Sequence, residues 1–515
     1  MPRFAYQLSP HSYCTSMPRP VLENTNAVPA APAPCGFIRL AQQQAHTPPR
    51  VPPTACQPPE NPERLPLASI ESTTVRFQGC SAPSEGHHGR MCRVAIDTGT
   101  GRGGDTFRAR FIGPSIVGAT IDDFCNGRYE ASALLVDDGP EPFQFEVFFE
   151  ALNFAGHIEE TRHLRTRYWA RCITDVVKCP SLRLGNTSSE LSFTEYMAWH
   201  DVVHQDVLSR RLALLTLPKA ETSLGQPACA PFSTNTCTAA AHLPGRWVQR
   251  RCLDASPPCA VGHVQHLRQV GADFVWVPYA CVLRVFSAGQ VASCVSRLRL
   301  GVVGKSTSRN IAYELASAGK ATPSRTLASG HDRSNNEEVL RRLGIQYMEK
   351  APSPSPVNPF ANATVLFNYG VHAAFATVPR RQYQTYLRDQ LATLAAMGTR
   401  VVWRTTTPTH SMVRRRPADG HRLARQAQYR GEVCQTTNSL HRTALYNEAA
   451  NEVMVELGIP QVDVGSVTAF RWDRMYDCQH FFPCDHCRYP HNASDFERSN
   501  AIMVAHLVLT AVCRE

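Results

Sequence analysis

The sequence predicts a multidomain chain: a β-sandwich followed by an α/β domain built on a doubly wound parallel sheet. Between about Ala68 and Phe149, apolar residues recur with period two in short runs separated by turn signals, the pattern of half-buried antiparallel strands. From Leu298 onward, near-continuous apolar runs alternate with stretches of helical spacing, the pattern of parallel strands covered by helices. At 515 residues, with a hydrophobic fraction of 43%, the chain has room for two or three domains with their own cores.

Residues 1–67 are rich in Pro, Ala and Gln, as in AVPAAPAP and HTPPRVPP. Pro at this density removes backbone donors, so a disordered or extended stalk is expected. Residues 68–152 carry the sandwich. Phe107, Ala109 and Phe111 alternate with arginines. Tyr129, Ala131, Ala133 and Leu135 keep the same rhythm, as do Phe143, Phe145, Val147 and Phe149. Gly103-Gly104-Asp105, Asn126-Gly127 and Asp137-Asp138-Gly139-Pro140 supply the turns. Residues 153–244 form a Cys-containing connecting region with helix-like spacing and no assignable role. In it, His200 and His204 stand four apart, which is metal-ligand spacing on a helix. No third ligand is evident, and they read as a partly buried pair.

Residues 245–515 read as the α/β domain. Gly245-Arg246-Trp247-Val248 and the run from Trp276 to Cys281 are expected to open it as a disulfide-stapled lobe. Strands are expected at 298–303, 364–368, 400–404 and 461–464. Helices are expected at about 308–318, 379–397, 439–457 and 494–512. In the second of these, Tyr383, Leu387, Leu391 and Leu394 form one apolar stripe facing a sheet. The basic stretch Arg414 to Arg430, rich in Gly, Pro and Gln, reads as an exposed loop.

The net charge of +10 is moderate for this length and selects no partner; no nucleic-acid partner is expected. The 19 Cys are absent between Cys294 and Cys434 and crowded elsewhere, usage that favours an oxidising lumen and disulfides. Sequons at Asn186, Asn362 and Asn492 are compatible with a glycoprotein. No signal peptide is visible in MPRFAYQLSPHSYC, and no segment approaches ~18 consecutive apolar residues, so no transmembrane segment is expected.

Chemistry concentrates at LRLGVVGKSTSRNIAYEL, from Leu298 to Leu315. An apolar strand ends in a turn with a hydroxyl at its tip, and a helix follows at once. Such a turn exposes Ser306 at a sheet edge beside a helix N-terminus. Gly304-Lys305-Ser306-Thr307 also looks like the end of a phosphate-binding loop, but Arg299 stands where that motif needs its first Gly. A nucleophilic Ser needs a base, a group to orient the base, and oxyanion donors. Asp477 and His480, three apart, offer the orienting carboxylate and the base. Asn368 ends an apolar strand and could donate its amide to an oxyanion. The segment Cys478, His480, Cys484, His486, Cys487 and His491 also has zinc-ligand chemistry, but its Cys-x-x-Cys lacks a matching second pair, and no metal is expected.

Two resemblances follow. The run IDDFCNGRYEASALLVDDGPEPFQFEVFFE resembles a filamin-type immunoglobulin-like repeat, in which Asp-x-x-x-Gly-x-Tyr opens a late strand. From Gly245 to Cys513, the chain has Trp-x-Pro-x-x-Cys-x-Leu, then Gly-x-Ser-x-x-Arg, Asn-x-Gly-x-His and Asp-x-x-His, in that order. This resembles the PC-esterase branch of the SGNH (GDSL-like) hydrolases, which includes the trichome-birefringence-like O-acetyltransferases. The repeat in front makes the neurexophilin-and-PC-esterase (NXPE) arrangement the nearest. The resemblance implies an SGNH-like fold and acetyl transfer to or from glycan hydroxyls, as an O-acetyltransferase or acetylesterase. It makes Ser306 the nucleophile, His480 the base and Asp477 its partner. Asn368 and Gly330 become oxyanion donors, and Gly304, Lys305 and Arg309 support the turn. It implies a glycan or polysaccharide partner, a Golgi-lumen or extracellular location, and no cofactor beyond an acyl donor such as acetyl-CoA or an acetylated glycan. One position departs: the family has Asp where this chain has Lys305. That charge reversal either tunes the nucleophile and steers an anionic substrate, or marks a non-catalytic protein that keeps the fold for glycan or protein binding.

Overall fold

The computed structural model describes residues 56, 68–81, 89–137, 142–152, 211–222, 237, 245–249, 274–278, 281, 283–319, 340–349, 360–375, 378–408, 440–472 and 499–513. The expected stalk, apart from Cys56, lies outside these residues. So do His200 and His204, the Arg414–Arg430 stretch, and the sequons at Asn186 and Asn492.

The period-two segments form antiparallel strands. These are β1 (Thr74–Ser81), β2 (Arg90–Asp97), β3 (Thr106–Ile112), β4 (Ser115–Gly118), β5 (Thr120–Asp123), β6 (Arg128–Leu135) and β7 (Gln144–Ala151). One sheet has the order β1-β2-β6-β5. The chain changes sheet at Ala119, between β4 and β5. The second sheet contains β4, β3 and β7 and is widened by β8 (Arg211–Thr216), β9 (Gly245–Gln249) and β10 (Phe274–Pro278), in the order β10-β9-β4-β3-β7-β8. Val94, Ile96, Phe111, Tyr129, Phe145 and Phe149 fill one core from both sheets. The Asp-x-x-x-Gly-x-Tyr run pins a loop. The Asp123 carboxylate accepts from the Gly104 and Cys125 N–H groups at 2.8 Å each, and Tyr129 Oη accepts from the Asp105 N–H at 3.1 Å.

The recruitment of β8, β9 and β10 corrects the expected boundaries at 153–244 and 245–515. Trp247 pairs with Ile116 of β4, so residue 245 lies inside a sheet and not at a junction. Strand pairing at a sheet edge satisfies backbone groups over any sequence separation, and it leaves no local signal in the chain. A buried ion pair fixes the join: Arg246 donates to both carboxylate oxygens of Asp137, at 2.5 and 2.8 Å. Trp247 and Trp276 meet edge to face and are both buried.

The α/β part is a five-stranded parallel sheet: β11 (Gly301–Val303), β12 (Gln346–Met348), β13 (Thr364–Phe367), β14 (Arg400–Arg404) and β15 (Gln461–Val462). Its order is β12-β11-β13-β14-β15. Val302, Leu366 and Val402 pack with α3 (Ser306–Ala318) and α8 (Ser499–Val512) on one face. Val303, Val365, Phe367 and Trp403 pack with α5 (Arg380–Ala396) and α6 (Leu440–Glu456) on the other. Successive strand residues thus go to opposite cores, which is why these strands read as continuous apolar runs. The short helices α1 (Lys219–Thr222), α4 (Gly370–Phe375) and α7 (Val464–Thr468) complete the set, with α2 (Ala288–Leu298) before β11.

The strand expected at 298–303 is three residues long, because α2 runs to Leu298. Ser287 and Gln290 form a capping box at its start, and Arg299 caps its end at φ 48°. Arg299 is therefore a helix stop, so the residues before Gly304 form a helix end and a strand with no phosphate loop. Asn362 occupies an exposed turn before β13, at φ 55°.

Among the described residues, four cysteine pairs lie at disulfide distance: Cys56–Cys125, Cys80–Cys92, Cys237–Cys281 and Cys294–Cys513. The last spans the Cys-free interval after Cys294 and ties α2 to the residue after α8. Such bonds are compatible with a secreted or lumenal protein. No helix among the described residues is long and apolar enough to cross a membrane.

Segment 467–472 seats the α/β part on the outer face of the second sandwich sheet. Trp247 Nε1 donates to Val467 O at 2.7 Å, and Arg110 Nη1 donates to Phe470 O at 2.7 Å. Trp472 meets Phe148 edge to face, with the Arg110 guanidinium 4.2 Å from its ring centre. From strand β7, Glu150 reaches across to accept the Leu440 N–H at 2.5 Å, at the start of α6.

Candidate active site

In a parallel sheet all strands end on one edge, and the order β12-β11-β13-β14-β15 reverses between β11 and β13. Ligands of such sheets bind at the carboxyl edge beside that switch point. Three segments meet there: the turn after β11 carrying Gly304, Lys305 and Ser306; Asn368 to Gly370 after β13; and Arg404, the last residue of β14, with Thr405 to Thr407 after it.

Gly304 has φ 144°, a conformation that side chains rarely adopt, and a Cβ on it would lie 2.2 Å from Asn368 O and 2.4 Å from Ser308 Oγ. Only glycine lets the two turns touch. Gly304 N–H donates to Met348 O at 2.9 Å, and Tyr347 Oη donates to Gly304 O at 3.0 Å, so β12 holds the turn from its other side. Ser306 opens α3 and is half-buried. The first turn of a helix supplies N–H groups without intrahelical acceptors and a positive dipole end.

Lys305 faces a partner that no local pattern singles out. Its Nζ lies 3.4 Å from Glu349 Oε2, and Arg309 Nη1 lies 3.8 Å from Glu349 Oε1. Glu349 follows β12, which pairs beside β11, so topology sets a carboxylate against both cations. The pairs are partly exposed and contribute little to stability, but they draw the Lys305 ammonium toward β12.

Asn368 is buried, and its amide is engaged. Nδ2 donates to Arg404 O at 2.8 Å and to Thr406 Oγ1 at 3.0 Å. Both amide hydrogens thus tie β13 to β14. In this arrangement Asn368, expected from the sequence as an oxyanion donor, clamps the two strand ends together. Asp463, after β15, accepts from Thr405 Oγ1 and from the Ser466 N–H, both at 3.0 Å, and caps α7. Thr406 N–H donates to Asn447 Oδ1 at 2.7 Å, and Asn447 Nδ2 returns a bond to Thr406 O at 2.9 Å.

Beneath the Ser306 turn lies Arg404, with no exposed surface. Its Nη2 donates to Thr307 Oγ1 and Ser308 Oγ, each at 3.2 Å. Desolvation by burial pushes its pKa down to about 9, with Tyr383 pulling the other way. The group is still a cation at neutral pH. Sequence reasoning passed over it because an Arg ending an apolar strand reads as a solvated terminus.

His480, Asp477 and Gly330 lie outside the described residues, as do Cys478, Cys484, His486, Cys487 and His491. The structure brings together Gly304, Lys305, Ser306, Arg309 and Asn368 of the expected set. Trp247 and Trp276, enclosed in the core, present no face to a ligand. The chain matches no protein-family model, no curated protein and no solved structure.

Proposed function

We propose that the protein is an acyl-transfer enzyme of the SGNH, PC-esterase type, moving an acetyl group to or from glycan hydroxyls through Ser306. The observation that carries this reading is the position of Ser306, at the first turn of a helix and at the switch point of a parallel sheet. His480 serves as base and Asp477 orients it. Ser306 Oγ adds to the acyl carbonyl carbon while His480 takes its proton, and the carbonyl oxygen becomes an oxyanion. Collapse breaks the bond to the donor's oxygen or sulfur, which leaves with the proton from His480. The acyl-Ser306 ester is then attacked by a sugar hydroxyl or by water, by the reverse proton path. The disulfides support a secretory-pathway setting, where glycan hydroxyls are plentiful.

The test is covalent. A fluorophosphonate probe should label the full chain at Ser306, the adduct should map to that residue, and Ser306→Ala should abolish it. Absence of any Ser306 adduct on folded protein overturns the reading.

The engaged Asn368 amide favours a second reading, a non-catalytic glycan- or protein-binding protein of NXPE type. Acetyl release from an acetylated polysaccharide that is lost in His480→Ala would remove it.

A further inference from the structure

A buried guanidinium with no anion against it is costly, because desolvation of the charge is not repaid by a partner. Arg404 is in that position. It lacks exposed surface, its Nε has no hydrogen-bond acceptor, and no carboxylate pairs with it among the described residues. Among the described residues, its guanidinium donates to Thr307 Oγ1, Ser308 Oγ and, at 3.4 Å, Thr405 O. All are neutral. By contrast, the buried Arg246 has Asp137 in a bidentate pair, and Arg110 has Glu146 at 2.9 Å. Arg108, also fully buried and without a hydrogen-bond partner, still has Glu150 and Glu146 nearby. Among the described residues, Arg404 has no carboxylate beside it under the first turn of α3.

That turn is itself a positive helix end. One turn on, at helical spacing from Ser306, Asn310 is buried with neither amide atom hydrogen-bonded among the described residues. The Asn368 amide, the expected oxyanion donor, is spent on Arg404 O and Thr406 Oγ1. Positive potential at Ser306 is thus supplied from below, through the helix end and the guanidinium.

We infer that Arg404 is a positioning residue that holds the first turn of α3 and biases it to carry a negative charge at Ser306. This rests on the acyl-transfer reading, in which that charge is the oxyanion formed when Ser306 Oγ adds to a carbonyl. Arg404 does not touch substrate. It acts through Thr307 and Ser308, and through its field in a region of low dielectric.

The experiment compares wild type, Arg404→Met and Arg404→Lys, all as full chains. Fluorophosphonate labelling of Ser306 is timed from pH 6 to 9.5, and thermal midpoints are recorded. Arg404→Met should slow labelling by roughly tenfold or more and move its pH midpoint up by about one unit, since loss of a nearby cation raises a base's pKa. Arg404→Lys should recover part of both. The thermal midpoint of Arg404→Met should equal or exceed wild type, because a buried unpaired charge is removed. A lowered thermal midpoint with an unmoved pH midpoint means the role is structural, and overturns the inference. Should Arg404→Met fail to fold, Arg404→Lys decides by the same pH midpoint. If wild-type Ser306 takes no label, the acyl-transfer reading fails separately, and inorganic phosphate replaces the probe. Phosphate should then raise the thermal midpoint of wild type above an equal ionic strength of chloride, and not that of Arg404→Met. Equal responses overturn the inference.

Discussion

Gly304 shows how one position ties backbone conformation to the site. Its φ of 144° and the 2.2 Å approach of a would-be Cβ to Asn368 O leave no room for a side chain. Gly304→Ala should destabilise by about 2–4 kcal/mol, from backbone strain and overpacking together, and should reduce Ser306 labelling. Chemical denaturation gives the first quantity, and a loss under 1 kcal/mol would show the turn to be more forgiving than its geometry. The Gly, the Ser and the flanking cations were legible as residues. Glu349 and Arg404 were not, because each gains meaning only from the strand beside it. Glu349 matters because β12 lies next to β11, and Arg404 because β14 lies next to β13. A local window cannot hold either neighbour.

Among the elements, strands and helices with strong periodicity were legible in the sequence. Strands expected around Phe107, Tyr129 and Phe145 appear as β3, β6 and β7, and Tyr383, Leu387, Leu391 and Leu394 all lie buried on α5. Helix α2 was missed because its short apolar stripe runs straight into β11, with only Arg299 and Leu300 between them. The start of α6 carries a pH prediction. Glu150, on β7, accepts from the Leu440 and His441 N–H groups and stands near the Arg108 guanidinium, yet burial outweighs these and raises its pKa from 4.5 to about 7. The folded chain holds this proton more tightly than the unfolded chain does. The associated stability is complete below about pH 4.5, falls as pH rises, and is gone above about pH 7. Thermal midpoints of wild type should therefore decline relative to Glu150→Gln across that window. Parallel profiles for the two proteins would refute the assignment.

At the scale of the whole molecule, the sandwich and the parallel sheet are not separable in the way the sequence suggested. Strand β9 follows a long interval in the chain and still pairs with β4, carrying β10 on its other edge, and Arg246 is neutralised by Asp137 from the far side of that interval. A chain begun at Gly245 would leave Arg246 buried without its anion and β9 without β4 on its inner edge. It should show no cooperative thermal transition and should bind the dye ANS strongly; a transition matching the full chain's would contradict this. The seating of Phe470 and Trp472 on the sandwich has a mechanical consequence. Asp477 follows Trp472 by five residues, a span of at most about 18 Å of extended chain. The proposed nucleophile, Ser306, rides on the parallel sheet, while the chain leading to the proposed base leaves from Trp472, which packs against Phe148 of the sandwich. A small rotation between the two would act as a lever on their separation. Under the acyl-transfer reading proposed above, force or binding at the sandwich would then change the rate at which Ser306 is acylated.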